Sequence, residues 1–140
     1  MKRHNILLKE CYRGISSSII KAYHMRIFLD DLRVAPQFGI YGDPITWDKV
    51  VRTAEELIEL IDKNAVTYIS FDHDLGTELT GYDVAKHIEE LAAKGLLNPI
   101  DYSIHSANPV GAANIDAAMK NAWKFWDLSL RQDNNVKNKK

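Results

Sequence analysis

Three short apolar runs, each ending in reactive polar side chains and followed by a helical pattern or a loop, constrain this chain most strongly. Arg26-Ile27-Phe28-Leu29 leads into Asp30-Asp31, Tyr68-Ile69-Ser70-Phe71 into Asp72-His73-Asp74, and Tyr102-Ser103-Ile104 into His105-Ser106. Short β-rich runs alternating with 3.6-period segments read as parallel strands joined by right-handed crossovers. In an open α/β sheet, ligands bind beyond the carboxyl ends of the strands. Side-by-side ends would gather four carboxylates, two imidazoles and a hydroxyl around one crevice. Packing alone does not call for such a convergence.

The order along the chain reads β-loop-β-α-β-α-β-α. Val34 to Pro44 holds two Pro and two Gly and reads as a loop, and Trp47 to Val51 as a short strand. Ala54, Leu57, Ile58 and Ile61 form one stripe of a helix over Thr53 to Asn64, with Thr53 and Glu56 at capping-box spacing. A second helix spans Gly81 to Lys94 and stops at Gly95, and a third runs from about Ala112 to Trp126. The expected fold is an α/β three-layer sandwich around a short, mostly parallel sheet of three to four strands. Residues 25–128 form the expected domain and residues 129–140 a polar, basic tail. Residues 1–24 read as an appendage, consistent with an upstream start codon ahead of Met25.

At 140 residues there is room for one domain that buries about two-thirds of its unfolded surface. A net charge of −1 supplies no basic field, so no DNA partner is expected, while a small nucleotide remains compatible. The single Cys11 excludes an intramolecular disulfide and a thiolate cage, and points to a reducing, cytoplasmic compartment. No apolar stretch approaches the roughly 18 residues of a membrane span, so no membrane partner is expected.

Asp30, Asp31 and Asp72 would together supply hard oxygen ligands suited to Mg²⁺ or Mn²⁺. Asp30-Asp31-Leu32 also fits a turn in which Asp bonds nearby amides. His73 lies between Asp72 and Asp74, which could orient its ring for acid-base work. If strand alternation persists, Asp72 and Asp74 share one face and His73 takes the other. In His105-Ser106-Ala107-Asn108-Pro109-Val110-Gly111, small residues precede a helix N-terminus, an arrangement that favours anions. Ser106, Asn108 and the backbone at Gly111 are candidate phosphate contacts, and His105 a candidate acid or base. Asn108-Pro109 equally fits an ordinary turn. Arg33 could clamp a phosphate bidentately or be a solvated loop residue. Trp47, Trp123 and Trp126 read as packing, His87 as solvent-exposed, and His4 and His24 fall in the N-terminal segment.

The strings Leu29-Asp30-Asp31-Leu32-Arg33, Ser70-Phe71-Asp72-His73-Asp74-Leu75-Gly76 and His105-Ser106-Ala107-Asn108-Pro109-Val110-Gly111 resemble the cyclic-phosphate-processing receiver family, a divergent branch of the receiver fold with bacterial and phage members. The resemblance covers about residues 25–120 and implies a flavodoxin-like fold. It aligns Asp30, Asp31 and Asp72 with the receiver's acids and Ser106-Ala107 with its hydroxyl-Ala pair. Two departures stand out: no fifth strand carries the receiver's Lys, and a Pro/Gly loop replaces the first helix. Loss of that Lys weakens a phosphoacceptor switch, while His73 and His105 point towards hydrolysis.

The expected function is a metal-dependent phosphoesterase opening a cyclic phosphate on an RNA end or a small nucleotide derivative, in the cytoplasm (that of the host, if phage-encoded). Asp30, Asp31 and Asp72 would hold the cation, His73, His105 and Asp74 the acid-base work, and Arg33, Ser106, Asn108 and Gly111 the phosphate. The alternatives are a protein that sequesters a cyclic nucleotide unchanged and a module phosphorylated on Asp72.

Overall fold

Alternation along two apolar runs places Ile27 and Leu29 on one side of a sheet, with Ile69 and Phe71 beside them, all fully buried. The computed structural model describes residues 24–138, and the expectation for residues 1–23 lies outside them. Strands β1 (Met25–Leu29), β2 (Lys49–Val51), β3 (Val66–Phe71) and β4 (Asp101–Ile104) form one sheet in the order β2-β1-β3-β4. Every pairing is parallel. Helices α1 (Ala54–Asp62), α2 (Gly81–Ala93) and α3 (Pro109–Asn138) complete the flavodoxin-like α/β arrangement expected from the sequence.

All three helices feed one core against the Ile27 and Ile69 face, through Leu57 and Ile61, Val84 and Ile88, and Ile115, Met119 and Trp126. Burying a side chain of this size contributes about 1.5–3 kcal/mol, so Leu29 and Phe71 hold their strand ends firmly. The opposite face carries Arg26, Phe28, Tyr68, Ser70 and Ser103. There the loop before β2 brings Trp47 edge-on to Phe28, with centroids 5.3 Å apart.

Local rules set the helix starts. Thr53 caps α1 by accepting from the Glu56 amide at 3.3 Å. The Glu56 carboxylate pairs with Lys49 at 2.9 Å, outside the expected capping box. Asp83 accepts the Thr80 amide at 2.7 Å and closes the start of α2. Gly81, the first residue of α2, presses on the strand end so closely that a Cβ there would overlap the Asp72 carbonyl oxygen. Its amide donates to the His73 carbonyl at 2.9 Å.

Three sequence expectations are corrected. Helix α3 does not stop near Trp126 but continues to Asn138, through most of the segment expected to be a polar tail. No Gly or Pro interrupts residues 112–138, so nothing in the sequence breaks the helix after the apolar stripe has run out. The helix also starts earlier, at Pro109, whose missing N–H suits the first helical position. His87 is half-buried, with Nε2 2.7 Å from Asp62 Oδ1, tying α2 to α1. Trp126 is core, donating from Nε1 to the Leu97 carbonyl at 2.9 Å. Among the described residues no helix is long and apolar enough to cross a membrane.

Candidate functional site

Because β1, β3 and β4 are neighbours, Asp30, Asp72 and His105 emerge side by side at one edge of the sheet. One ligand-capable atom from each lies within 4.8 Å of the others. Asp30 is 1% exposed and almost wholly occupied by its own chain. Its Oδ1 accepts from the amides of Leu32 at 2.9 Å and Arg33 at 2.7 Å. Its Oδ2 lies 3.0 Å from His105 Nε2 and 3.8 Å from Arg33 Nε. Burial pushes this carboxyl up, but the two backbone amides and His105 outweigh it and hold it below the usual carboxylate range.

Asp72 is 7% exposed and behaves oppositely. Burial first, and then the charge of Asp30, raise its carboxyl, against the His73 amide that donates to Oδ1 at 2.8 Å. Two neighbouring carboxylates thus differ in the ease with which they ionise. A divalent cation would relieve the repulsion, and the oxygen and imidazole donors suit one.

His105 is fixed on three sides. Its ring stacks on Phe28 at 4.5 Å with a 6° interplanar angle, Nδ1 meets Ser70 Oγ at 2.7 Å, and Nε2 faces Asp30. The Arg33 guanidinium donates to the His105 carbonyl at 2.6 Å, joining the first and last strand ends of the site.

A second cluster lies at the N-terminus of α3. Strand β3 ends at Phe71, so its alternation does not extend through Asp74. Asp72 turns into the buried cluster, while His73 and Asp74 pair with each other, Nδ1 to Oδ1 at 2.8 Å. The shared face expected for Asp72 and Asp74 is therefore not formed. The Asp74 carboxyl is lowered first by that bond with His73; desolvation opposes it, and the Asn108 side chain adds to the lowering. Among the described residues nothing hydrogen-bonds His73 Nε2.

Asn108 ties this pair to the helix. Its side-chain amide lies 3.4 Å from His73 Nδ1 and 3.5 Å from Asp74 Oδ2, and its Oδ1 accepts the Gly111 amide at 3.0 Å. Gly111 is packed directly under the His73 ring: a Cβ there would stand 2.7 Å from Nδ1 and closer still to Cγ.

The sequence candidates therefore divide. Asp30, Asp72 and His105 converge, and His73, Asp74, Asn108 and Gly111 form a second group. Asp31 is not in the first group: its Oδ2 borders Gly76, a left-handed residue at φ +67° in the following loop. The Gly111 amide, expected to face a phosphate, is taken by Asn108, because this Asn caps the helix. Ser106 Oγ accepts the Asn108 amide at 3.1 Å. Arg33 remains half exposed despite its two contacts.

Sequence reasoning passed over Arg52, whose Nη1 donates to the carbonyls of Asp30 at 2.9 Å and Arg33 at 2.8 Å. Its signal was its place directly after β2, the fourth strand end. Ser70 and Phe28, which hold His105, were also missed. A serine between the buried Ile69 and Phe71 was the available clue.

A family model described as the cyclic-phosphate processing receiver domain matches residues 25–121. No curated protein and no solved structure matches the chain.

Proposed function

The chain belongs to the cyclic-phosphate processing receiver family, and on that premise we propose that it is a metal-dependent phosphoesterase opening a cyclic phosphate on an RNA end or a small nucleotide derivative. The observation that carries this reading is the convergence of two buried carboxylates and an imidazole from adjacent strand ends, beside a second imidazole–carboxylate pair. Asp30 and Asp72 would hold Mg²⁺ or Mn²⁺, with Asp31 near enough in the chain to contribute through water and His105 fixing Asp30. A cation there would offset charge on the phosphate and acidify a water.

Ring opening adds water to phosphorus and breaks one P–O ester bond, leaving a phosphomonoester and a free hydroxyl. The departing oxygen needs a proton. His73 is the better donor of the two histidines, since Asp74 orients its Nδ1 and Nε2 is left for substrate. Both nitrogens of His105 are engaged, which suits it to fixing Asp30. Arg33, Ser106 and Asn108 line the approach to the phosphate.

The test is ³¹P NMR of the protein with 2′,3′-cyclic nucleotides and ADP-ribose cyclic phosphate, each with Mg²⁺, Mn²⁺ or EDTA. Ring opening that EDTA blocks is the expected result. Ring opening that survives EDTA removes the metal from the mechanism. Line broadening without turnover means the protein sequesters its ligand, and silence across the panel rejects this substrate class.

A further inference from the structure

The end of β2 has no task in the proposed reaction, yet it stands beside the site. The Asp30 amide donates to the Val51 carbonyl at 3.1 Å, so Arg52, the next residue, leaves the sheet next to Asp30 at the same edge. Its Nη1 is spent on the carbonyls of Asp30 and Arg33, at 2.9 and 2.8 Å. Those two bonds fix the guanidinium against the loop that follows β1. Among the described residues, Nε and Nη2 make no hydrogen bond and no carboxylate forms an ion pair with Arg52, which is exposed. A clamp on two carbonyls needs donors but no charge, so the charge is left over.

That charge is also held still, and an anion can use it without first ordering a long side chain. The free donors of a planar guanidinium suit the oxygens of a phosphate. Position decides which phosphate. The proposed cation lies between Asp30 on β1 and Asp72 on β3, where it takes the cyclic phosphate. Neighbouring strands stand about 4.8 Å apart, so Arg52 leaves β2 roughly 7 Å from that point, one and a half spacings away. One ribose bridges such a gap between a cyclic phosphate on one edge of its ring and a phosphate on its 5′-oxygen. The other direction is taken by His73 and Asn108 at the start of α3.

We propose that Arg52 forms a second anion site, which binds a phosphate on the 5′-oxygen of the same ribose that carries the cyclic phosphate. The proposal rests on the phosphoesterase reading for where the cyclic phosphate sits. It narrows the substrate to nucleotides that carry phosphate on both sides of that ribose. An RNA terminus and an ADP-ribose cyclic phosphate share this chemistry, whereas a nucleoside cyclic phosphate with a free 5′-hydroxyl lacks it.

The experiment compares adenosine 2′,3′-cyclic phosphate with its 5′-phosphorylated form as substrates of the full chain. In the parent protein the 5′-phosphate should lower KM about tenfold and leave kcat within about twofold. Arg52→Gln should remove that preference. Damage passed through the Asp30 loop falls on both substrates alike and cancels in the ratio. Arg52→Lys keeps the charge without the planar fork, and should reduce the preference by about threefold without abolishing it. It carries the test if the Gln variant does not fold. A dinucleotide ending in a cyclic phosphate and ADP-ribose cyclic phosphate then distinguish the two sources, by which of them gains more from Arg52. A second readout needs no turnover: calorimetric binding of adenosine 3′-phosphate and of adenosine 3′,5′-bisphosphate. A bisphosphate bound about tenfold tighter, with the gain lost in Arg52→Gln, keeps the anion site even if no ring is opened and the phosphoesterase reading falls. Equal KM and equal affinity with and without the 5′-phosphate overturn the proposal, as does binding of neither ligand. So does a preference undiminished in whichever variant folds.

Discussion

Gly111→Ala separates the proton-transfer pair from the fold. A Cβ at this position would lie 2.7 Å from His73 Nδ1, and ordinary contact requires about 3.5 Å, so the ring must retreat by roughly 1 Å. Two stability effects oppose each other. Alanine favours a helix over glycine by about 1 kcal/mol, whereas overpacking costs about 1–3 kcal/mol where the neighbours cannot yield. The neighbour here is the His73 ring, 17% exposed and met at its base, so it yields only by turning as a whole away from the helix. The net change should be a loss of about 0–2 kcal/mol, a melting shift no larger than about 8 °C.

Catalysis should respond very differently. A reacting group displaced by about 1 Å costs on the order of 10²-fold, equivalent to about 2.7 kcal/mol of barrier. Urea unfolding gives the first quantity, and ring opening of the cyclic phosphate followed by ³¹P NMR gives the second. A third readout needs no substrate: the Asp74 carboxyl, lowered chiefly by His73, should rise towards its ordinary range in a ¹³C titration. Full activity in a variant whose Asp74 carboxyl has risen would remove His73 from the mechanism. Full activity with Asp74 unchanged would mean the ring tolerates the methyl group and that the packing argument is wrong.

Asp72→Asn should abolish turnover with the fold intact, and circular dichroism with the turnover assay checks both. The raised carboxyl of Asp72 adds a pH signature, since its stabilising contribution is fully present below the unfolded value and is lost as pH rises through the folded one. The Asn variant should therefore gain on the parent protein in urea titrations above that range. Mg²⁺ should raise the melting temperature of the parent and leave Asp72→Asn unmoved. Asp30→Ala should cost about 3 kcal/mol, because two amides and an imidazole lose their acceptor. As the Asp30 carboxyl is lowered, its contribution is present above the unfolded value of 3.8 and disappears as pH falls through the folded one, so that penalty should shrink in acid unfolding curves. Arg52→Ala should cost about 1–3 kcal/mol in urea unfolding by releasing the carbonyls of Asp30 and Arg33.

Much of this was legible in the residues. The apolar runs around Ile27, Ile69 and Ile104 announce strands because burial imposes a period of two, and the stripe from Ala54 to Ile61 announces a helix by its period of 3.6. The strand-end principle then brought Asp30, Asp72 and His105 to one edge. Past Phe71, however, periodicity stops, and turn geometry decides where each side chain goes. That is why Asp31 and His105 exchanged places in the buried cluster, and why Asp74 left Asp72 for His73. The Gly111 amide was read as a phosphate contact because the sequence cannot distinguish a helix that offers its amides to a ligand from one that caps them itself. The extension of α3 past Trp126 escaped notice because a polar helix leaves no apolar stripe to detect.

Gly81 opens α2 and Gly111 lies in the first turn of α3, and each lies against one member of the dipeptide Asp72-His73, the first on its carbonyl and the second on its ring. Those two residues are thus gripped by secondary structure on both sides, with contact distances too short for any side chain. Such a grip makes the site brittle to substitution at two positions that carry no functional group at all. A screen of random variants scored only by polar residues would overlook them. Among natural relatives, drift that let α2 or α3 stand off from the sheet would free the glycine of that helix to vary, and the reactive dipeptide would lose its aim in the same step.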